Sequence, residues 1–236
     1  MKVLVVGASG ATGRLLVEQL LGRDVEVKAI VRSLDALPDN PRLFKIQASV
    51  HSLSSSEMAA HIKDCSAVVS CLGHNLTFQG MFGNPKLLVT ETLQCMCKAI
   101  ESLGLDHPLK VVLMNTTGNS NRDIPETPSL SQRIVVSIIR TLLPAQVDNE
   151  KAADFLRTQI GQNNNAIEWV AVRPDALINK KEVTAYNIQP SPIRNVIFDS
   201  GATSRINVGH FMAELILNVS TWQKWKGHMP VIYNNA

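Results

Sequence analysis

The chain has 236 residues, of which 45% are apolar and 18% are charged, and its 23 basic and 20 acidic side chains leave a net charge of +3. This is the composition of an ordinary globular protein with one substantial core. No run of Lys or Arg exceeds two residues, no apolar stretch approaches the length of a membrane span, and a strand stands where a signal peptide would begin the chain, so we expect no nucleic-acid binding, membrane span or signal peptide. The four cysteines lack the spacing of zinc ligands, so we expect reduced thiols, no metal site and a cytoplasmic location.

The first fourteen residues predict a strand, a tight glycine turn and the start of a helix. Residues 3–6 are a short apolar run that ends at Gly7, and a helical pattern opens at Thr12. Gly7, Gly10 and Gly13 are spaced three apart between them. Backbone N–H groups and the helix dipole favour an anion in such a turn, and the missing side chains let a pyrophosphate approach the backbone. We therefore predict that a dinucleotide binds here.

The second predicted strand, residues 25–31, ends in Arg32 and Ser33. In units that bind NAD, an acidic residue about 20 positions beyond the glycines takes the ribose 2′-hydroxyl. Arg32 stands 19 positions after Gly13, and Arg14 follows the glycine turn directly. Because a guanidinium can grip a 2′-phosphate, this pattern favours NADP(H) over NAD(H). The alternative is that both arginines are ordinary solvated residues.

Apolar runs that alternate with helical patterns continue to the end of the chain. Further strands are predicted over residues 43–47, 67–72, 110–114 and 167–172, with a last edge strand over 229–233. Helices are predicted over 54–62, from Asn84-Pro85 to Gly104, over 130–143, after a cap at Asp148, and after Ser204. The alternation predicts an α/β fold, a doubly wound parallel sheet of Rossmann-like type. We expect one domain over residues 1–236, in which 178–236 form a small substrate-side region with the last helix and strand.

Polar residues follow two of the predicted strands at the edge where ligands bind in such sheets. His74 follows the fourth strand and is either a proton donor or a polar rim residue. Asn115 and Thr116 follow the fifth, where they would handle a substrate carbonyl or a nicotinamide, or else form an ordinary turn. The segment 75–83, with two phenylalanines, would cover a planar ligand or bury its rings in the core.

Four segments resemble the short-chain dehydrogenase/reductase superfamily, in its atypical NAD(P)-binding branch of NmrA-like and flavin-reductase-like proteins. They are GASGATG at 7–13, VVSCLG at 68–73, VAVRPDAL at 170–177 and SRINVGHF at 204–211. The resemblance implies that the glycine turn holds the pyrophosphate and that residues after the second and third strands hold the adenosine. Residues after the fourth, fifth and sixth strands would line the nicotinamide. Carried over by position, the cofactor-binding residues are Gly7, Ser9, Gly10, Ala11, Thr12, Gly13, Arg32, Ser33, Ala48, Ser49, Val50, Leu72, Gly73, His74, Asn115, Thr116 and Pro174.

The sequence departs from that superfamily at its acid–base pair. Reductases of the superfamily use a Tyr-x-x-x-Lys pair, in which the lysine lowers the pKa of the tyrosine. Lys151, at the head of a predicted helix 151–160, has Val147 four residues before it, and a shift by one pairs Gln146 with Glu150. The usual machinery for alcohols and ketones is therefore absent. Lys151 would contact a ribose hydroxyl or be a solvated lysine.

Two functions fit this pattern. The first is hydride transfer from NADPH to a flavin, a quinone or a similar planar acceptor, with Asn115, Thr116, His74 and Lys151 as candidate catalytic residues. The second is a non-catalytic NADP-binding sensor of the NmrA-like type, which would present the segments 75–83 or 178–203 to a protein partner. A sugar-nucleotide epimerase is less favoured, because the tyrosine is missing and the C-terminal region is short.

Overall fold

An eight-stranded sheet forms the centre of the computed structural model, which describes residues 1–74, 85–126, 129–195 and 197–235. Its strands, with two short ones outside it, are β1 (Lys2–Val6), β2 (Glu26–Val31), β3 (Leu43–Gln47), β4 (Ala67–Ser70), β5 (Leu109–Met114), β6 (Ile167–Pro174), β7 (Ala176–Ile178), β8 (Tyr186–Gln189), β9 (Ala202–Ser204) and β10 (Val231–Asn234). The order across the sheet is β3-β2-β1-β4-β5-β6-β10-β8, while β7 and β9 pair with each other. All pairs in the large sheet are parallel except β10 with β8.

Helices cover both faces of this sheet. They are α1 (Gly13–Leu21), α2 (Ser55–Ile62), α3 (Leu88–Ser102), α4 (Leu130–Leu142), α5 (Pro144–Phe155), α6 (Arg205–Leu217) and α7 (Val219–Trp225). One turn of π-helix, Leu156–Ile160, extends α5, and 3₁₀ turns lie at Leu34–Ala36 and Val50–Ser52. The predicted doubly wound, Rossmann-like α/β fold is thereby confirmed.

The two faces follow from the alternation of side chains along the strands. Val3 and Val5 of β1 point into a core cluster with α1, α6 and α7, whereas Leu4 and Val6 point into a cluster with α2, α3 and α5. The order reverses at β1, whose neighbours are β2 and β4. In open sheets of this kind the crevice at that reversal, beyond the carboxyl ends of the strands, is where ligands bind.

Two predicted helix starts are wrong. Helix α3 begins at Leu88 and not at Asn84-Pro85; Asn84, like the whole segment 75–83, lies outside the described residues. The helix that Asp148 was expected to cap, with Lys151 at its head, begins at Pro144, since proline suits the first turn of a helix. Asp148 lies inside α5 and is fully buried.

The C-terminal region also differs from the prediction. The strand expected at the edge, β10, lies inside the sheet, because β8 pairs with it on the side away from β6. The span 178–203, part of the predicted substrate-side region, contributes β8 and most of β9. Among the described residues, no helix combines the length and the apolar character needed to cross a membrane.

Helix α6 crosses α1 at close range because of Gly209. A Cβ atom on Gly209 would lie 3.0 Å from the backbone nitrogen of Leu16 and 3.2 Å from the carbonyl carbon of Leu15. A larger residue would push the helices apart. The SRINVGHF segment therefore packs against α1, the helix that begins at the end of the glycine turn.

Candidate functional site

The glycine turn after β1 is built by close contacts within the backbone. Gly7 has a φ of +73°, which favours glycine, and a Cβ on it would lie 2.6 Å from the carbonyl carbon of Cys71. A Cβ on Gly13 would lie 2.1 Å from the carbonyl oxygen of Gly7. Gly7 and Gly13 are therefore needed for the turn to fold against β4 and against itself.

Gly10 has a different surrounding. It donates a backbone hydrogen bond to the Gly7 carbonyl at 3.0 Å, and that oxygen is the only described atom near its missing side chain, at 3.2 Å. The space beside Gly10 is left open at the N-terminus of α1. An anionic group fits such a position, where backbone N–H groups and the helix dipole converge. Ser9, Ala11 and Thr12 form the rest of this turn.

Two arginines beside the turn have no acidic partner among the described residues. Arg14 is exposed and donates to the Ser9 carbonyl at 3.0 Å, and Arg32 is exposed directly after β2. Of the arginines whose side chains the structure describes, all except Arg14, Arg32 and Arg205 pair with a carboxylate. The turn thus has a positive charge beside it that no described carboxylate neutralises.

The residues predicted to hold the adenosine follow β2 and β3. Ser33 is exposed at the start of the 3₁₀ turn Leu34–Ala36. Ala48 and Val50 are half-buried against the core, and the Ser49 hydroxyl lies 3.0 Å from Nδ1 of His51. These residues share the carboxyl edge of the sheet with the glycine turn.

The backbone after β4 passes directly over the glycine turn. Cys71 and Leu72 form the surface that a side chain on Gly7 would hit, and Gly73 is exposed beyond them. Burial raises the pKa of the Cys71 thiol to about 12, so this cysteine does not supply a thiolate nucleophile to the site.

His74 contacts a buried aspartate of α5. Its Nε2 lies 2.8 Å from Oδ2 of Asp148, and both side chains are almost fully buried. A carboxylate only accepts hydrogen bonds, so we assign the proton to Nε2, and the ring is held in one orientation.

The same aspartate caps α3. Its oxygens accept hydrogen bonds from the backbone nitrogens of Val89 at 2.8 Å and Thr90 at 2.9 Å, and the Thr90 hydroxyl lies 2.6 Å from Oδ1. The residue before the helix, Leu87, offers no side-chain cap. Asp148 therefore joins the exit of β4, the start of α3 and α5 through one carboxylate.

The polar residues after β5 are largely bonded to each other. The Asn115 amide donates to the Asn149 carbonyl at 2.9 Å, and its oxygen accepts from the backbone nitrogen of Thr116 at 2.8 Å. Thr116 is half-buried, and its hydroxyl accepts from Gly118 N at 3.2 Å. The predicted pair lies at the carboxyl edge, but the Asn115 side chain is engaged in holding the loop to α5.

Helix α5 carries Gln146, one residue before Val147, and its amide is engaged in hydrogen bonds. Gln146 donates to the Gly118 carbonyl and to Glu150, both at 2.9 Å, and Glu150 pairs with Arg140 of α4. Lys151 is exposed in the middle of α5. Gln146 and Glu150 thus link α4, α5 and the loop after β5.

The exit of β6 is held by a carboxylate that the sequence analysis did not single out. Asp175, directly after the buried Pro174, accepts hydrogen bonds from Thr117 Oγ1 at 3.2 Å, Ala176 N at 2.9 Å and Gly201 N at 2.8 Å. Burial raises the pKa of this carboxyl, although the hydrogen bonds act in the opposite direction. Asp175 therefore positions the β5 loop and the segment before β9.

Arg173, from the same motif, is fully buried. It pairs with Glu126 at 2.7 Å and donates to the carbonyls of Met229 at 2.7 Å, Asn119 at 3.0 Å and Pro190 at 3.1 Å. The sequence does contain a signal for this cluster of bonds, namely an arginine at the end of an apolar strand. A guanidinium that is buried there requires a partner. Its partner, 47 positions earlier, could not be read from the pattern.

Within the described ranges, no group of three or more His, Cys, Asp or Glu residues is placed to hold a metal ion. The arrangement instead offers an anion site at the glycine turn, unpaired positive charge beside it, and a polar edge after β4, β5 and β6. These features fit a dinucleotide.

Comparison with known proteins agrees with this geometry. A model of a family described as NAD(P)H-binding matches residues 7–218. No protein among the curated ones matches this sequence.

Solved structures show the same fold at low identity. A short-chain dehydrogenase/reductase from Veillonella parvula in complex with NADP is 14% identical, with a TM-score of 0.72 over 100% of this chain and 95% of that one. An oxidoreductase from Lactococcus lactis is 16% identical, with a TM-score of 0.71 over 100% and 91%. A protein named as a candidate NADH-flavin reductase from Streptococcus pneumoniae is 17% identical, with a TM-score of 0.68 over 100% of both chains.

Proposed function

The chain belongs to the NAD(P)H-binding family, and we propose that it is an oxidoreductase that uses NADPH to reduce a flavin, a quinone or a similar planar acceptor. When bound, the cofactor supplies a hydride, which together with one proton from solvent converts a quinone to its hydroquinone or a flavin to its dihydro form. The observation that carries the proposal is the open glycine turn with the unpaired Arg14 and Arg32 beside it.

The preference for the phosphorylated cofactor is assigned to Arg32. An exposed guanidinium without a carboxylate partner is available for a 2′-phosphate, which it binds through two parallel hydrogen bonds. We expect Arg32→Ala to weaken NADPH binding about tenfold or more and to leave NADH binding unchanged. Arg42→Ala is the matched control, because Arg42 is also exposed but pairs with Asp24. Titration of both nucleotides by calorimetry tests this; an unchanged preference in Arg32→Ala would remove the role of Arg32.

The kind of acceptor is assigned from the residues on α5. Lys151 has Val147 four residues before it, so this helix offers no Tyr-x-x-x-Lys pair to protonate an alkoxide. Flavins and quinones spread the charge that arrives with a hydride, and placement then supplies most of the catalysis. We assign orientation of the acceptor to Thr116 and His74, and contact with a ribose hydroxyl to Lys151.

A second function is favoured by one observation. The Asn115 amide and the Gln146 side chain already have protein partners, as expected of a site that binds a nucleotide without turning it over. In this case the chain is an NADP-binding sensor of the NmrA-like type, and its protein partner recognises the nucleotide-bound form.

Free thiols at Cys65, Cys71, Cys95 and Cys97 support a reducing, cytoplasmic location for either function.

Steady-state oxidation of NADPH with a panel of flavins and quinones separates the two. The reductase predicts turnover above the uncatalysed rate with at least one acceptor. Tight NADPH binding without turnover of any acceptor would refute the reductase and favour the sensor.

A further inference from the structure

Exposed apolar side chains are concentrated at one part of the carboxyl edge. Among the described residues ten large apolar side chains are exposed, and five of them, between 51% and 65% accessible, lie in α4 and at positions 193 and 198. We call these five side chains the apolar rim. They are Ile134, Ile138, Leu142, Ile193 and Phe198.

Both segments of the apolar rim are tied to the exits of β5 and β6. The residue before α4, Ser129, accepts a hydrogen bond from Asn195 at 3.3 Å, and Gln146, just after α4, donates to the Gly118 carbonyl. The second segment is held at β6, where Arg173 donates to Pro190 and Asp175 accepts from Gly201. Both segments of the apolar rim are therefore anchored beside the half of the crevice assigned above to the acceptor.

Helix α4 has the composition of a surface with a partner. None of its side chains that the structure describes is fully buried, yet its exposed residues at positions 134, 138 and 142 form one stripe along two turns. A helix exposed on that scale normally carries polar residues on its outer face. An exposed apolar patch beside a binding crevice indicates a ligand or a partner.

The charges of the apolar rim argue against a phosphorylated ligand. Its arginines with described side chains are both neutralised, Arg140 by Glu150 and Arg194 by Asp199 at 2.7 Å. Arg14 and Arg32, which pair with no described carboxylate, lie at the opposite half of the crevice, beside the glycine turn. A hydrocarbon chain matches the apolar rim better than the phosphate of a flavin mononucleotide does.

We propose that the apolar rim binds the hydrocarbon tail of a lipid-soluble quinone, so that the acceptor is a prenylated quinone. This inference rests on the reductase function proposed above, and the redox step is the one already given. The quinone gains the hydride from NADPH and one proton from solvent to become the hydroquinone, and NADPH is oxidised to NADP⁺.

The experiment measures kcat/KM of NADPH oxidation with three acceptors that differ in tail and charge. They are a benzoquinone without a tail, the same ring with a two-unit prenyl tail, and flavin mononucleotide. We expect the prenylated quinone to exceed the tail-less one about tenfold or more, since each buried methylene of a substrate adds appreciable discrimination. In a variant with Ile138→Ser and Phe198→Ser we expect this ratio to fall about tenfold. Phe44→Ser, at an exposed apolar residue of β3, is the control and should keep the ratio.

The outcomes separate this inference from the proposed function. No turnover of any acceptor would refute both, whereas equal turnover of tailed and tail-less quinones, or a preference for flavin mononucleotide, would overturn the tail site alone. If light scattering shows that the parent is a dimer and that Ile138→Ser is a monomer, the apolar rim binds a second copy of the chain and the proposal is overturned. If the protein sediments with quinone-free phosphatidylglycerol vesicles and the double variant does not, the apolar rim binds a lipid surface. This outcome would also overturn the proposal.

Discussion

Asp148 provides the sharpest test of how the site is held together. Its carboxylate is fully buried and accepts hydrogen bonds from two backbone nitrogens of α3, from Thr90 Oγ1 and from His74 Nε2. Asp148→Ala would leave these donors buried without an acceptor. A lost helix cap costs about 1 kcal/mol, and each buried donor left unsatisfied costs roughly 1–3 kcal/mol.

We therefore expect Asp148→Ala to lower the free energy of unfolding by about 3–5 kcal/mol, the range typical of breaking a buried polar pair. In a chain of this length about 1 kcal/mol corresponds to roughly 2–4 °C in Tm, so Tm should fall by roughly 10 °C. Asp148→Asn should fall between this variant and the parent, because one oxygen still accepts while the new NH₂ group faces a donor.

Denaturation in urea, followed by circular dichroism, measures these changes. Asp39→Asn is the control. Asp39 forms an ion pair with Lys45 on the surface, so its substitution should leave the free energy of unfolding nearly unchanged. If the free energy of unfolding of Asp148→Ala lies within about 0.5 kcal/mol of that of the parent, the cap that Asp148 provides for α3 does not stabilise the fold. A double-mutant cycle with His74→Ala then isolates the coupling between the two side chains.

Three further perturbations follow from the geometry. Gly13→Ala should abolish NADPH binding and lower stability, because the added Cβ would lie 2.1 Å from the Gly7 carbonyl; binding within threefold of the parent would contradict this. Glu126→Gln should lower the free energy of unfolding by about 3 kcal/mol, since it leaves Arg173 buried without its carboxylate; an unchanged urea midpoint would count against it. Burial lowers the pKa of His210, so the stability that it contributes is present above about pH 6.5 and lost as the pH falls; Tm of His210→Gln should decline less between pH 7 and 5, and parallel curves would refute this.

Local patterns predicted most of the sheet correctly. The run before Gly7, the apolar segments of β2 to β6 and the helix before Gly104 each bury side chains with the period of their element. The three glycines of the turn are also a local signal, because their spacing fixes a backbone shape by itself.

Predictions failed where a residue serves a distant element. Asp148 has the chemistry of a helix cap and does cap a helix, but that helix begins 60 residues earlier in the chain at Leu88. β10 was expected at the edge because its antiparallel partner, β8, is a short strand in a segment with little periodicity. The roles of Gln146, Asp175 and Glu126 were missed for the same reason, since the sequence does not show with which distant group a polar side chain forms a hydrogen bond.

The close crossing of α6 over α1 has a consequence for how the protein is made. Leu16, Val17 and Leu20 of α1 are covered by α6, and Arg23 pairs with Glu214, which is 191 positions away. Contacts between such distant parts of a chain form late and slow folding. During synthesis, β1, the glycine turn and α1 thus carry an uncovered apolar face until α6 has also been made. Release of a half-made chain would leave that face open to aggregation.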